Sequence, residues 1–211
     1  VNIITDRRDL GMSFPAIMMA GGPDGHRHVS LAYARSFGRL NAWASAGHST
    51  TRGFTLSDDF VESFREDGGL RENSDYSYSN IDAKLEYATP GGSRFSLGVG
   101  QYDAERSAPP TADTTVSAKQ VAYDRFPEWT RQYACLNATG VWHQDAVWRA
   151  TAYYDTEYDR LIRYKDATYD YEQIKFDSEH DSRASGIRTD LTYVFNDRWQ
   201  SSAGVIARRD G

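Results

Sequence analysis

The chain has 211 residues, 39% hydrophobic, 26% charged and 13% aromatic, with 24 Lys and Arg against 30 Asp and Glu for a net charge of -6. Rings this abundant exclude a chain that stays solvated, and no apolar run nears the ~20 residues a spanning helix needs. The acidic balance lacks the basic footprint that binds phosphates, so nucleic acid is not an expected partner, and the single Cys135 offers neither an internal disulfide nor a thiolate metal cluster.

The first residues, Val1-Asn2-Ile3-Ile4-Thr5, read as the inside of a strand, with no basic segment, apolar core or cleavage site before them. From His28 onward the dominant pattern is alternation with a period of two, which marks a sheet whose faces meet different surroundings. His28 to Ala34 sets Val29, Leu31 and Tyr33 against His28, Ser30 and Ala32. Leu40 to His48 sets Leu40, Ala42, Ala44 and Ala46 against Asn41, Trp43, Ser45 and His48. Asn80 to Tyr87 is the clearest run, with Ile81, Ala83, Leu85 and Tyr87 opposite Asn80, Asp82, Lys84 and Glu86. After the turn composition of Thr89 to Ser93 come Phe95, Leu97 and Val99. Gln132 to Trp142 and Trp148 to Asp155 form the next pair, and Ile187 to Tyr193 with Trp199 to Arg208 the last. About eight strands in four hairpins are predicted. The final residues follow a strand-like run directly, so the chain is expected to be a piece of a longer one.

The predicted connections alternate between short and long. Turns fall at residues 37–39, 89–93, 143–146 and 195–198, and the stretches Thr51 to Tyr76, Asp103 to Phe126 and Thr156 to Ser182 each exceed twenty residues. Long loops without structure are uncommon in compact domains, whereas a membrane barrel has tight turns on one rim and long loops on the other. Strands of about ten residues at ~3.3 Å each, tilted ~40°, rise roughly 25 Å, the height of the apolar band of such barrels. Phe37, Tyr87, Phe95, Trp142, Trp148, Phe195 and Trp199 all flank the short turns, as an interfacial girdle would.

Val1-Asn2-Ile3-Ile4-Thr5 followed by Asp6-Arg7-Arg8 resembles the segment that closes the plug of TonB-dependent outer-membrane receptors, the siderophore and vitamin transporters. Asn80 to Leu85 resembles one of their barrel strands, Arg125-Phe126-Pro127-Glu128-Trp129 the entry to another, and Ala152 to Asp155 a strand near the outer rim. The resemblance implies an all-β fold: an antiparallel, up-and-down transmembrane β-barrel, present here as about eight strands of a plugged 22-stranded wall. It implies the end of the plug and a linker over residues 1–26 and the N-terminal part of the barrel over 27–211. The implied function is active transport across the outer membrane of a Gram-negative bacterium. A scarce ligand, a ferric siderophore above all, is bound and imported by plug movement driven by the TonB inner-membrane energy-coupling complex, with outer-membrane lipid around the wall. Neither a cofactor nor covalent chemistry is implied. Asp82, Lys84, Glu86, Arg149, Asp155, Arg188, Asp190 and Arg208 would face the lumen, since Lys or Arg facing lipid costs about 2–4 kcal/mol at midplane.

An anionic chelate calls for cations and flat aromatic faces. The candidate ligand contacts are Arg52, Phe54, Arg65 and Arg71 in the first loop, Tyr76 and Tyr78 at its exit, Arg106 in the second, and Trp129, Arg131 and Tyr133 at the following strand. The third loop gathers Tyr158, Tyr164, Tyr169 and Tyr171 with Asp177, Glu179 and Asp181, which read as a solvated acidic loop because a calcium loop's turn glycine is missing. His26 and His28, separated by Arg27, lack a third metal ligand. A rim hydrolase is disfavoured: adjacent His48 and Ser49 point to opposite faces, and His143 and His180 fall at opposite rims. Asn137-Ala138-Thr139 matches a glycosylation sequon but sits in mid-strand. The alternative architecture is a self-contained barrel of eight strands, in a membrane or as a soluble ligand-binding protein.

Overall fold

A computed structural model of the chain describes residues 14–63, 65–113, 115–117, 120–142, 145–196 and 198–211. Their strands are β1 (Phe14–Gly21), β2 (Arg27–Phe37), β3 (Leu40–Thr51), β4 (Tyr76–Ala88), β5 (Arg94–Ala108), β6 (Tyr123–Trp142), β7 (Ala146–Tyr164), β8 (Ile174–Asn196) and β9 (Trp199–Asp210). They form a single antiparallel sheet in which every strand pairs with its neighbours in sequence. β1 and β9 are its two edges, and the sheet does not close on itself. Among the described residues no helix is long and apolar enough to cross a membrane, a statement that does not bear on strands.

All eight alternating runs lie inside strands. The ninth strand, β1, has the sequence FPAIMMAG, which is apolar on both faces and carries no period of two. It pairs with β2 from Phe14 opposite Ala34 to Gly21 opposite Arg27, so the sheet begins within the stretch assigned to a plug terminus and linker. The Val1 to Thr5 phrase and its Asp6-Arg7-Arg8 sequel lie outside the described residues.

The strands are also longer than the expected ten residues, reaching 20, 19 and 23 in β6, β7 and β8. The connections shorten accordingly. The first loop runs over residues 52–75, but the second covers only 109–122 and the third only 165–173, not twenty or more each. The added strand lengths escape an alternation test because each face mixes polar residues with a few apolar ones, Tyr158 and Ile162 on one and Leu161 and Phe176 on the other. They are held instead by the backbone ladder and by cross-strand pairs such as Arg163 on Asp124 at 2.6 Å and Arg160 on Asp177 at 2.7 Å. Asp177, Glu179 and Asp181 thus belong to β8 rather than to a loop, and Asp181 takes Arg183 at 3.0 Å. Tyr158 and Tyr164 likewise lie on β7.

The short turns predicted at 37–39 and 89–93 fall between β2 and β3 and between β4 and β5, and the other two fall on connections only partly described. Between β2 and β3 only Gly38 and Arg39 intervene, and Gly38 has a φ of 65°, as the first central residue of a tight II′ hairpin turn requires.

Cross-strand register sorts the side chains onto two unlike faces. On one stand Ile17 and Met19 of β1, Val29, Leu31 and Tyr33 of β2, Ile81, Leu85 and Tyr87 of β4, Phe95, Leu97 and Val99 of β5, Leu136 of β6, Tyr154 of β7, and Ile187, Leu191 and Tyr193 of β8. These apolar side chains are exposed, Met19 to 77% and Ile81 to 64%. Phe37, Tyr87, Phe95, Trp142, Trp148, Phe195 and Trp199 all fall on the same face at its turn end, by alternation along their strands. The other face carries Asp82, Lys84, Glu86, Arg149, Asp155, Arg188, Asp190 and Arg208, with Met18, Trp43, Val141, Val147, Val194 and Ile206 among its apolar exceptions. His48 stands on the Leu40 face rather than with the polar set, its Nδ1 2.9 Å from Ser79 Oγ, and the neighbouring Ser49 points the opposite way and is buried.

The apolar band is slanted. Val29, at its upper limit on β2, shares an interstrand row with His48, Ser79, Asp103, Thr130, Tyr158 and Asp181. On β8 the band starts at Ile187, six positions nearer the turn than Asp181. That offset, at ~3.3 Å per residue across six spacings of ~4.8 Å, is a slant of roughly 35°.

Candidate ligand-binding site

The polar face changes character along its length. In its middle it is a lattice of ionic and hydrogen-bonded pairs. Arg131 donates to both carboxylate oxygens of Asp155, the shortest bond 2.7 Å. Tyr133 donates to Asp82 Oδ1 at 2.6 Å, and Asn80 donates to Asp82 Oδ2 at 2.8 Å. To make its bond, Tyr133 crosses Gly100, where an added Cβ would lie 2.5 Å from the ring and 2.6 Å from the Asp82 carboxylate. The absence of a side chain at Gly100 therefore builds this contact.

Toward the loops, the lattice gives way to aromatic rings. Phe54 from the first loop meets Tyr76 at 6.3 Å between centroids, Tyr76 stacks on Tyr78 at 6.0 Å, and Tyr78 stacks on Tyr102 at 5.6 Å. Tyr102 meets the edge of Trp129 at 6.4 Å, and Trp129 meets Phe126 at 6.5 Å. The series runs across β4, β5 and β6 because Tyr76, Tyr78, Tyr102 and Trp129 share one face by alternation and register. The Arg106 guanidinium closes it, 4.2 Å from the Trp129 ring centre and 4.4 Å from that of Phe126. Trp129 is itself oriented by donating its indole N–H to Glu157 at 2.9 Å.

Of the ten predicted contacts, Phe54, Tyr76, Tyr78, Arg106 and Trp129 come together in this platform, and Arg131 and Tyr133 continue the same face below it. The remaining three arginines lie elsewhere. Arg65 bonds to the backbone oxygens of Asp113 and, at 2.5 Å, Val116, so it ties the second loop to the first. Arg71 pairs with Glu66 at 2.9 Å and donates to the Pro110 oxygen at 2.6 Å. Arg52 lies against Gly25 in the short connection from β1 to β2. Tyr102 and Phe126 were not singled out from the sequence, although Tyr102 has the parity of Gly98, Gly100 and Arg106 along β5 and extends the face that carries Tyr78.

The first loop is a scaffold for this rim. Leu56 and Arg71 donate their backbone N–H groups to Gly69 and Phe54, and Ser74 Oγ accepts from the Phe54 amide at 3.0 Å. Asn73, in the left-handed region at φ 52°, donates to the backbone oxygens of Ala108 and Asp124 and accepts from Arg125 Nε at 2.9 Å. A cavity of about 300 Å³ lies among the loops, walled by Arg65, Glu66, Pro110, Tyr123 and Tyr169. Burial raises the Tyr169 phenol above its ordinary range, and its ring is covered by Arg125 at 4.3 Å.

Among the described residues no group of three or more His, Cys, Asp or Glu is placed to hold a metal ion. The pairing of Asp177 with Arg160 and of Asp181 with Arg183 accounts for two of the three clustered carboxylates of β8. His180 stands 3.6 Å from Asp159 on the neighbouring strand, and Asn137-Ala138-Thr139 lies within β6. His143 is outside the described residues.

No protein-family model matches this chain, and no curated protein matches it either.

Proposed function

We propose that this chain forms part of the wall of an outer-membrane transport barrel, a receptor of the TonB-dependent kind that takes up a scarce ligand such as a ferric chelate. The observation that carries the reading is the inverted distribution of side chains. Large apolar residues stand exposed in one slanted band with aromatic rings along its turn edge, while charges occupy the opposite face. In water that arrangement leaves an apolar patch far beyond what a soluble monomer tolerates. Against lipid it is the favoured one, and a slant of roughly 35° agrees with the strand tilt of closed barrels.

Two further features support the proposal. The free edges at β1 and β9 call for more wall, because open edges are not stable in a bilayer. This favours a barrel larger than a self-contained one of eight strands. The aromatic platform lies on the charged face, at the loop end, where a ligand entering a lumen from outside would first meet side chains.

The reading is tested in the producing bacterium with the full-length protein. The expected result is recovery in the outer-membrane fraction, labelling of a Gly69→Cys variant by an impermeant maleimide on intact cells, and uptake of radiolabelled ferric hydroxamate or catecholate chelates that stops on gene deletion and on collapse of the proton-motive force. Recovery in a soluble fraction, or ferric-chelate uptake indifferent to deletion, would contradict it.

A further inference from the structure

We propose that the platform selects a ligand bearing a single anionic group beside a flat apolar body, and that Arg106 is the residue that reads the charge. This rests on the polar face being the ligand-lined one. Of the other cations named as candidate contacts, Arg131 is committed to Asp155, Arg71 to Glu66 and the Pro110 oxygen, and Arg65 to the second loop, while Arg52 lies against Gly25 in the connection from β1 to β2 and outside the ring series. Arg106 differs. It is exposed, no carboxylate among the described residues lies within ion-pair distance of it, and the Phe126 and Trp129 rings hold its guanidinium in place.

A guanidinium fixed over ring faces keeps its N–H edge for an acceptor, so it offers a planar, bidentate fit to one carboxylate or similar oxyanion. Beside it the rings of Tyr102, Tyr78 and Tyr76 make a continuous surface, and no hydrogen bond from their hydroxyls to the described protein is seen. These edges suit a flat body that takes hydrogen bonds at its margin. Among the described residues Arg106 is the one cation stacked on the platform rings, and a ligand with several negative charges would also approach Glu157 and Asp155 on the same face. Like-charge repulsion then works against it.

The test uses the full-length protein purified in detergent, titrated calorimetrically with 2-naphthoate, with its uncharged counterpart 2-naphthamide, and with naphthalene-1,3,6-trisulfonate. Binding of the naphthoate about tenfold tighter than the amide and tighter than the trisulfonate is expected, since one charge-assisted contact is worth about that factor. Arg106→Gln should erase the preference for naphthoate over naphthamide while leaving amide binding within about twofold, and Arg106→Lys should restore only part of it. Trp129→Ala should weaken naphthoate and naphthamide together. Tightest binding of the trisulfonate, equal binding of acid and amide to the unaltered protein, or no binding of any probe would overturn the proposal. Those outcomes are separable from failure of the transport reading, which shows as a protein absent from the outer membrane whatever it binds.

Discussion

In the turn-side halves of β4 and β8, Ile81, Leu85, Ile187 and Leu191 stand exposed on one face while Asp82, Lys84, Arg188 and Asp190 face the other. In the loop-side region the most deeply buried side chains are instead Glu66, at 1% exposure, and Ser49, at 2%. The two regions share continuous strands but not a burial rule. In the first, the backbone ladder holds the sheet together and the apolar residues need a partner that is not part of the described chain. In the second, buried polar side chains are held mainly by backbone groups: Asn73 donates to the Ala108 oxygen, Ser74 to the Arg71 oxygen, and Glu66 accepts from the Glu72 amide. On the membrane reading proposed above, the difference marks where the solvent would change along the strand, near the row of His48, Ser79 and Asp103 on β3 to β5 and lower on β8.

The largest expected effect comes from placing a charge on each side of that boundary. Leu97→Arg, in the middle of the band on β5, should cost about 2–4 kcal/mol in lipid vesicles, whereas Gln101→Arg, four positions higher and on the same strand face, should cost under about 1 kcal/mol. Urea unfolding of the full-length protein in vesicles reads both, and equal costs would erase the boundary. Next is Glu66→Ala. Losing the carboxylate that accepts from the Glu72 amide and pairs with Arg71 should lower the local stability of the first loop by about 2 kcal/mol. Faster proteolysis within residues 52–75, with unchanged unfolding of the wall, would sharpen the contrast, and unchanged cleavage would refute it.

Gly100→Ala probes the lattice between the two regions. It should displace Tyr133 from Asp82 at a cost of about 1 kcal/mol, and Tyr133→Phe should cost little more once Gly100→Ala is present. Full additivity of the two would mean that the glycine serves something else. The smallest effect concerns pH. Hydrogen bonds from the Thr115 side chain and amide hold the Asp113 carboxyl below its ordinary value of 3.8. A carboxylate whose folded value is depressed stabilises the fold above the unfolded value and loses that contribution as pH falls through the folded one. Loosening of the second loop, followed by hydrogen exchange, should therefore begin only below about pH 4, and Thr115→Val should shrink this acid-dependent part while leaving the loop looser at neutral pH.

What the sequence makes legible follows the same boundary. Wherever the two faces of a strand differ, as from Ile81 to Tyr87, alternation locates strand, face and turn. Where both faces are alike, it is silent: β1 is apolar on both, and the upper parts of β7 and β8 mix mainly polar with a few apolar residues on both, so the first was missed and the others were read as loop. The platform was half legible for a related reason. Its rings are visible residue by residue, but Tyr102 and Phe126 join it only through the register of β4, β5 and β6. The commitment of Arg65 and Arg71 to loop scaffolding depends on backbone oxygens and a buried Glu66 that no spacing rule reveals.

In the proposed wall the exposed apolar band faces lipid, and cysteine accessibility on the full-length protein in native outer membranes tests that directly. In a Cys135→Ser background, Leu97→Cys, Leu136→Cys and Leu191→Cys on the apolar face are compared with Ser96→Cys on the polar face and Gly69→Cys in the first loop. The account predicts that an impermeant maleimide labels the loop position on intact cells and the polar-face position through the lumen of opened membranes. The three apolar-face positions should resist labelling until detergent disperses the bilayer. Labelling of all five at similar rates without detergent would contradict it.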